Sequence, residues 1–354
     1  MQTRRREWPG AVELDVTVDQ AGPAAASVRA LAYVDLVGDP VPGDRVLLNT
    51  TALDLGLGTG GLALVVALPD RLPADRTGPG HLVKARYTPL QATVLGVDEQ
   101  DSPHHEVLRD AEGLSGCPVV VADLHSAVPA VLCGLLADRP GTRVVYVATD
   151  GGALPLAFSR TVAGLRDAGW IAGTVTVGQA FGGDLEAVSV HNGLLAAVLV
   201  LGAEVVVVAQ GPGNLGTGTR WGFSGVAAGE VVNAVAALDG RAVASLRVSQ
   251  ADPRERHRGV SHHSLTAYGR VALAPAEVVV PDLPGAFGQQ VRASAELLGG
   301  RHHLVNVRLD GLTEALQACP VRLETMGRGL DDDPAAFLAA AAAGRHAAAL
   351  LTAA

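Results

Sequence analysis

The pattern of apolar and polar residues changes near residue 117. Before about residue 95, apolar and polar positions alternate in short runs at 12–19, 27–36, 45–51 and 62–68. Such alternation is typical of half-buried β-strands, and turns rich in Gly, Pro and Asp separate the runs. The pattern predicts a β-rich domain over residues 1–95, a small barrel or sandwich. The polar residues 96–116 are expected to form a linker or lid.

From residue 117 onward, continuous apolar runs alternate with helical patterns. Eight runs can be followed along the chain, and they begin at residues 118, 143, 171, 204, 241, 277, 303 and 320. Uninterrupted β-branched runs between amphipathic helices predict parallel strands buried on both faces. The favoured fold for residues 117–354 is α/β, a Rossmann-like doubly wound and mostly parallel sheet. Because eight βα units are also enough for a barrel, a closed βα barrel is the alternative.

Composition excludes several classes of protein. The 354 residues are 48% hydrophobic and carry a net charge of −9, which argues against a dedicated nucleic-acid binder. The three cysteines are odd in number and widely spaced, so neither a disulfide framework nor a CxxC metal site is expected. No apolar signal segment opens the chain, and the apolar run 194–201 is too short to cross a membrane. We expect a cytoplasmic protein without nucleic-acid or membrane partners, and self-association on general grounds only.

Lysine and asparagine are scarce in this chain. Of 27 basic residues only Lys84 is a lysine, and asparagine occurs five times. This scarcity is typical of drift in a GC-rich genome, where Arg replaces Lys wherever the two are interchangeable. The survivors Lys84, Asn192 and Asn214 are therefore candidates for positions that resist exchange, although chance survival explains any single one equally well.

The loop after the fourth apolar run is the strongest candidate for ligand binding. In parallel α/β folds, ligands bind beyond the carboxyl ends of the strands. Glycines in this loop let backbone N–H groups converge on an anion or phosphate before the next helix. The expected anion-binding residues are Gly211, Gly213, Asn214, Gly216, Thr217 and Thr219. A structural glycine-rich turn is the alternative.

The same loop does not favour NAD. It contains the spacing GxGxxG, but the next strand ends in Arg247-Val248-Ser249 without the acidic residue that a dinucleotide site requires. No lysine follows the last glycine, so the sequence pattern of the phosphate-binding loop of nucleoside triphosphatases is also absent. NAD is therefore not expected as a cofactor, whereas a divalent metal is left open.

A segment rich in cations and histidines, residues 254–264, is the second candidate. His262 or His263 could serve as a general acid or base near neutral pH, beside arginines that neutralise an anionic ligand. Adjacent residues on a helix point about 100° apart, so the pair is not expected to hold one metal together. The alternative is a solvated loop in which Ser261 caps a helix.

Acidic residues at the other strand ends form a third group. Asp123 and His125 follow the first run, and Asp150 and Asp184 follow the second and third. If these strands adjoin, the four side chains converge on one rim, with Asp123 and His125 as catalytic groups. Asp150 and Asp184 are then the candidate ligands of a divalent metal. Plain turns and a helix cap are the alternative.

Lys84 and Arg86 form the last candidate. On a strand, residues two apart share a face, so both cations could reach from the β domain and hold an anion. Lys84 could also act as an amine base. The alternative is a pair of edge-strand charges that prevent aggregation.

Several of these motifs have a familiar form. They are residues 81–91 (HLVKARYTPLQ), 121–126 (VADLHS), 149–160 (TDGGALPLAFSR), 178–188 (GQAFGGDLEAV), 211–219 (GPGNLGTGT) and 259–267 (GVSHHSLTA). Over essentially its whole length the chain resembles the bacterial domain-of-unknown-function family numbered 3866. The resemblance implies no activity and no catalytic residue. It does imply that these loops are defining features of the family.

The sequence thus leads to two hypotheses. The first is an enzyme that acts on a small anionic substrate, phosphorylated ones included, at the carboxyl ends of the α/β strands. The second is a non-catalytic ligand-binding or scaffold protein.

Overall fold

A computed structural model describes residues 1–18, 26–56, 59–74, 78–152 and 154–351. The strands are β1 (Thr3–Trp8), β2 (Ala11–Val18), β3 (Ala26–Tyr33), β4 (Leu47–Asn49), β5 (Ala63–Ala67), β6 (Leu82–Lys84), β7 (Ala92–Val94), β8 (Pro118–Val121), β9 (Val144–Thr149), β10 (Gly173–Val177), β11 (Leu185–Ala187), β12 (Val205–Gln210), β13 (Arg241–Ser245), β14 (Val248–Ser249), β15 (Gly259–Val260), β16 (Glu277–Pro281), β17 (His303–Val307), β18 (Glu324–Thr325) and β19 (Arg328–Gly329). The helices are α1 (Val34–Val37), α2 (Thr51–Asp54), α3 (His105–Leu108), α4 (Val128–Asp138), α5 (Arg160–Asp167), α6 (Val190–Leu195), α7 (Ala227–Ala237), α8 (His262–Thr266), α9 (Gly285–Glu296), α10 (Leu312–Gln317) and α11 (Pro334–Leu350). Two π-helical turns, Ala196–Val200 and Ala267–Val271, continue α6 and α8.

The predicted α/β fold is confirmed. Eight strands pair in parallel in the order β11-β10-β9-β12-β8-β13-β16-β17. The sheet is open, with β11 and β17 at its two edges, so the structure has the doubly wound architecture rather than the closed βα barrel. The valine-rich strands β8 and β12 are buried along their whole length, as expected of strands covered on both faces.

Helices cover both faces of this sheet. Helices α6, α7 and α9 pack on one face, and α4, α5 and α10 pack on the other. The chain leaves β8 through α4 toward β9, whereas it leaves the neighbouring strand β12 through α7 toward β13. Adjacent strands thus continue on opposite faces of the sheet, and this topological switch point is where open α/β sheets form a ligand crevice.

Two local predictions were wrong. The helical pattern of residues 185–201 predicts one helix, but Leu185–Ala187 pairs with β10 as the edge strand β11, and α6 starts only at Val190. A three-residue strand is too short to show a period of its own. The run beginning at residue 320 does not join the main sheet, because β18 pairs only with β19 in a small hairpin.

The N-terminal part is β-rich, as predicted, and forms a mixed five-stranded sheet in the order β1-β2-β3-β5-β4. It contacts the α/β part directly, since Trp8 Nε1 donates a hydrogen bond to Ala157 O at 2.6 Å. Residues 96–116, predicted as a linker or lid, are packed against the main sheet, with Leu108 and Leu114 buried in its core. Within the described residues no helix is long and apolar enough to cross a membrane.

Two glycines allow α4 and α11 to approach closely. A Cβ on Gly134 would lie 1.9 Å from Ala341 O, and a Cβ on Gly344 would lie 1.8 Å from Val131 O. Both obstacles are backbone atoms, which cannot rotate away as a side chain can. The close contact between α4 and α11 therefore requires glycine at both positions.

The Gly344→Ala variant tests this packing. Alanine favours an isolated helix by about 1 kcal/mol over glycine, but overpacking against a backbone carbonyl costs about 1–3 kcal/mol or more. We expect a net decrease in the free energy of unfolding, measured by urea denaturation. Gly78→Ala, where a Cβ meets nothing within 4 Å, is the control and should change stability by less than about 1 kcal/mol. A Gly344→Ala protein as stable as the wild type would contradict the close approach.

Candidate functional site

Three polar residues meet at the switch point of the sheet. Asp123 follows β8, Gln210 is the last residue of β12, and Arg247 lies two residues beyond β13. A narrow cleft of about 450 Å³, its solvent-open mouth included, contains Asp123 and Arg247 in its lining. Asp123 and Gln210 also line a smaller cavity that extends toward α7. We refer to Asp123, Gln210 and Arg247 with these two spaces as the switch crevice.

Two buried acceptors in the switch crevice have no donor. Asp123 Oδ2 and Gln210 Oε1 are enclosed, and neither has a hydrogen-bond partner within the described residues. The rest of Gln210 is well held, because its Nε2 donates to Asp123 O at 2.8 Å and to Asn214 Oδ1 at 3.0 Å. Since buried polar atoms are almost always hydrogen-bonded, a water or a ligand with donor groups is expected at this place.

Burial determines the charge state of Asp123. It raises the pKa of this carboxyl group to about 6, and the nearby Arg247 guanidinium opposes the rise only partly. Burial also lowers the pKa of Arg247, against the attraction of Asp123 and Asp252. Asp123 can therefore exchange a proton close to neutral pH, as an acid–base group must.

Arg247 has donors to spare. Its side chain is 9% exposed, and its Nη2 lies 4.0 Å from Asp252 Oδ2. Arg254 and Arg328 hold the same carboxylate more closely, at 2.9 Å and 3.1 Å. The only hydrogen bond of the Arg247 guanidinium to another described residue goes from Nη1 to His263 Nδ1, at 3.2 Å. A planar guanidinium with free donors is well suited to a carboxylate or a phosphate.

Three histidines cluster beside Arg247. One ligand atom from each of His257, His262 and His263 lies within 4.8 Å of the other two, and the ring of Phe223 stacks on His263 at 3.8 Å between centroids. Because adjacent helix positions point about 100° apart, His262 and His263 were not expected to hold one metal together. Their ring centroids nevertheless lie 4.4 Å apart, because side-chain rotation brings the rings together at the first turn of α8.

The histidine cluster is uncharged at neutral pH. Burial, with a smaller contribution from Arg247, lowers the pKa of His257 and of His263 to about 3. Burial and the positive charge of Arg256 lower the pKa of His262 as well. The ring atom His262 Nε2 is buried and has no partner within the part of the chain that the structure describes.

The structure does not bring His125 to Asp123. His125 lies on the α5 side of the sheet, with Nε2 2.7 Å from Ser159 Oγ and Nδ1 3.2 Å from Tyr146 Oη. Burial lowers the pKa of His125 to about 4. Both ring nitrogens are satisfied, as in a core histidine.

The two candidate metal ligands are also separated. Asp150 Oδ2 accepts a hydrogen bond from Gln179 N, just beyond the carboxyl end of β10. Asp184 accepts from Arg166 and from Thr174 N, near the amino end of the same strand. Four residues of strand correspond to about 13 Å. Asp184 does not lie at the carboxyl edge of the sheet, because the chain returns to the amino edge before the parallel strand β11 starts.

The loop that carries the predicted anion cradle forms a hairpin. Gly216 bridges to Phe223 in antiparallel fashion, and Thr217 N donates to Gly222 O at 2.7 Å. Thr219 Oγ1 accepts from Gly222 N within the same turn. A 3₁₀-helical turn, Ser224–Val226, follows the hairpin directly and leads into α7 at Ala227.

Asn214 connects the hairpin to the switch crevice. Its Oδ1 accepts hydrogen bonds from Gln210 Nε2, Ser224 Oγ and Gly225 N. These contacts show how Asn214 positions Gln210. Anion binding by the cradle residues Gly211, Gly213, Asn214, Gly216, Thr217 and Thr219 stays a prediction.

Lys84 and Arg86 have different environments. Strand β6 ends at Lys84, and the positive φ of Ala85 and Tyr87 turns the chain, so the two cations do not share a strand face. Arg86 is exposed, and its guanidinium lies over the Tyr87 ring.

Lys84 is 1% exposed, and its ammonium group bridges the N-terminal part and the α/β part of the chain. Its Nζ donates to Gly178 O at 2.7 Å and Ala180 O at 3.0 Å, and lies 3.3 Å from Glu186 Oε2. It binds next to β10, three strands and about 14 Å from β8. These contacts support a structural role, and the charge clamp stays a prediction.

A second and larger cleft, of about 1400 Å³ with its solvent-open mouth included, lies between the N-terminal sheet and α5. Three polar side chains of its lining are already paired: Ser159 with His125, Asp184 with Arg166, and Glu186 with Lys84. Among the described residues, none of the buried polar atoms without a partner lies in this lining. The switch crevice is therefore the stronger candidate.

Sequence reasoning did not select Gln210, Arg247, His257 or Phe223. Gln210 had a visible signal, because it is a polar residue at the end of the apolar run 204–209. Arg247 was assigned to the last residues of a strand that in the structure already ends at Ser245. Nothing local indicated that Phe223 would stack on a histidine 40 positions later.

Comparison with protein families gives one match. A model described as a protein of unknown function (DUF3866) matches residues 29–344. The matched region starts in β3 and ends in α11, so it contains the switch crevice and the histidine cluster. No curated protein matches the chain.

Proposed function

The chain belongs to the DUF3866 family of proteins of unknown function, and we propose from the geometry that it is an enzyme that binds a small anionic substrate in the switch crevice. In this proposal Arg247 holds the anionic group, and Asp123 exchanges a proton with the substrate. Gln210 accepts a hydrogen bond from the same molecule.

The unpartnered atoms Asp123 Oδ2 and Gln210 Oε1 carry this proposal. A carboxylate oxygen and an amide oxygen that are both buried without donors are costly to the folded protein, about 1–3 kcal/mol for each unsatisfied group. Such a cost is typical of a site that is completed by a ligand. Their position at the topological switch of the sheet supports the same conclusion.

The chemistry follows from the charge states of these groups. A substrate hydroxyl or amine that donates to Asp123 Oδ2 faces a carboxylate with a pKa of about 6, which is close enough to neutral to take the proton and return it. A carboxylate or phosphate on the same substrate balances the Arg247 charge in a poorly solvated cleft. The proposed reaction class is therefore acid–base chemistry on a small anion.

A ligand screen tests the proposal on the full chain. The probes are inorganic phosphate, ribose 5-phosphate, AMP and citrate, and the measurement is the shift in Tm, because a ligand bound only by the folded protein raises it. We expect at least one probe to raise the Tm of the wild type. Arg247→Met should weaken that probe at least about tenfold, since a hydrogen bond to a charged group contributes about 1.5–3 kcal/mol.

Two further variants separate the outcomes. Arg45→Met, an exposed arginine paired with Asp70, should bind the probe as the wild type does. Asp123→Asn should still bind the anion, but product detected by NMR for the wild type should be missing. An unchanged affinity in Arg247→Met, or no shift with any probe, would contradict the proposal. Binding without product in the wild type would favour the ligand-binding alternative.

A further inference from the structure

The histidine cluster has features that anion binding does not explain. Within the described residues, His257, His262 and His263 form the only group of three or more His, Cys, Asp or Glu side chains that could hold a metal ion. Two of the three are almost fully buried, at 1% for His257 and 6% for His263. Histidines rarely gather in a protein interior without a shared partner, because each ring carries a polar nitrogen that needs one.

We propose that His257, His262 and His263 form a binding site for a divalent transition metal, with Zn²⁺ as the expected ion. Imidazole nitrogen is a preferred ligand of zinc, and three histidines with one open position are a known arrangement for this ion. The cluster adjoins the switch crevice through the contact between Arg247 and His263, but Asp123 is not one of its ligands, so metal binding here does not depend on the acid–base role of Asp123.

The atom His262 Nε2 is the first independent support. It is buried and unpartnered, while the ring of His262 lies 4.9 Å from His257 and 4.4 Å from His263 between centroids. A lone pair enclosed next to two other imidazoles has no protein donor to satisfy it. A metal ion at the centre of the cluster would do so.

The rings are also held in place from outside the cluster. His257 Nδ1 lies 2.8 Å from Ser261 Oγ, and a hydroxyl oxygen can accept from this ring while it caps α8 by accepting from His263 N. Donation by Nδ1–H leaves His257 Nε2 free as a ligand. Such a partner behind a histidine fixes its tautomer and orientation, as is usual at metal sites. The face of His263 is fixed by Phe223.

The distances require only a small contraction. Zn–N bonds of about 2.0–2.1 Å place tetrahedral ligand atoms about 3.4 Å apart, and the three atoms now lie within 4.8 Å of one another. Side-chain rotation can close the difference. Arg247 Nη1 lies 3.2 Å from His263 Nδ1, so a metal bound through Nδ1 would displace this hydrogen bond and free the guanidinium, whereas one bound through Nε2 would leave it intact.

Nearby positive charge should lower the affinity of the histidine cluster for a cation, so removing such a charge should raise that affinity. Arg256 is exposed and acts electrostatically on His262. Replacing Arg256 with glutamine removes one positive charge that repels a cation, so zinc affinity should increase severalfold. If the cluster instead held an anion, the same substitution would decrease affinity for phosphate and leave zinc unaffected.

The experiment uses the full chain, freed of metal with a chelator and titrated with Zn²⁺ or Co²⁺ alone. We expect one zinc per chain by elemental analysis, and visible absorption bands of tetrahedral Co²⁺. His262→Gln should lose at least about 100-fold in affinity, more than the 10–100-fold typical for residues behind the ligands. The exposed His303, replaced by glutamine, is the matched control and should bind as the wild type does.

Several results would overturn the site. They are no zinc and no Co²⁺ bands with the wild type, equal binding by the wild type and His262→Gln, or equal loss in His262→Gln and His303→Gln. The partly exposed position of His262 makes this variant the one most expected to fold. Because the wild-type Co²⁺ spectrum and the Arg256→Gln affinity need no ligand substitution, they decide the matter even if His262→Gln is unstable. None of these readouts involves the Asp123 chemistry.

Discussion

Replacing Lys84 with methionine is expected to lower the free energy of unfolding by about 3–5 kcal/mol. The ammonium group donates to Gly178 O and Ala180 O and is paired with Glu186, all with almost no access to water. Methionine is similar in length but cannot donate, so the substitution leaves a buried carboxylate and two carbonyls without their partner. Removing one member of a buried ion pair is strongly destabilising for this reason.

The measurement is urea denaturation at neutral pH, with Arg86→Met as the control. Arg86 is the neighbouring cation but is exposed, so its loss should change stability by less than about 1 kcal/mol. The double variant Lys84→Met with Glu186→Gln should recover part of the loss, because it removes the uncompensated charge. A Lys84→Met protein of wild-type stability with a weakened anion affinity would instead support the charge clamp.

The Asp123→Asn variant is expected to differ from the wild type in the pH dependence of stability. Between pH 4 and pH 7 its free energy of unfolding should rise relative to the wild type by about 3 kcal/mol. Burial raises the pKa of Asp123 to about 6 in the folded protein, against about 3.9 for an unfolded aspartate. Between these values the folded state keeps a proton that the unfolded state has lost. The contribution of Asp123 to stability is therefore fully present below about pH 4 and is lost as the pH rises through 6.

Two units of pKa correspond to about 3 kcal/mol. Two titratable groups face Asp123. Arg247 is positively charged, whereas the Tyr268 hydroxyl is uncharged at neutral pH because burial raises its pKa. Urea denaturation should show that the free energy of unfolding of Asp123→Asn, relative to the wild type, is higher at pH 7 than at pH 4 by about this amount. Asp70→Asn, an exposed carboxylate, should gain nothing. A constant difference between Asp123→Asn and the wild type at both pH values would contradict the raised pKa.

The local pattern was sufficient for most of the α/β core. The apolar runs that begin at residues 118 and 204 became β8 and β12, and the helical pattern between the runs at 204 and 241 became α7. These elements are continuous and strongly patterned, so the period of their buried residues is visible in the sequence. The strand β11 was missed because three residues at a sheet edge have no such period.

The candidate site was predicted only in part. Asp123 and the pair His262 and His263 were selected as residues beyond strand ends, since the carboxyl edge is determined by the direction of the parallel strands, and their catalytic roles stay predictions. Their grouping with Asp150, Asp184 and Lys84 required the order of the strands, which the sequence does not contain. Every fully buried strand has the same valine-rich pattern, whichever neighbour it pairs with.

The sequence by itself determined the fold class and the edge of the sheet where chemistry is expected, because local periodicity and chain direction suffice for both. The tertiary structure alone decided which side chains meet there. It inserted β12 between β9 and β8 and so brought Gln210 against Asp123, 87 residues earlier in the chain. It also turned Lys84 toward carbonyls 94 and 96 residues away. Such contacts depend on long-range packing, and the local sequence patterns of the buried strands are too similar to predict which strands pair.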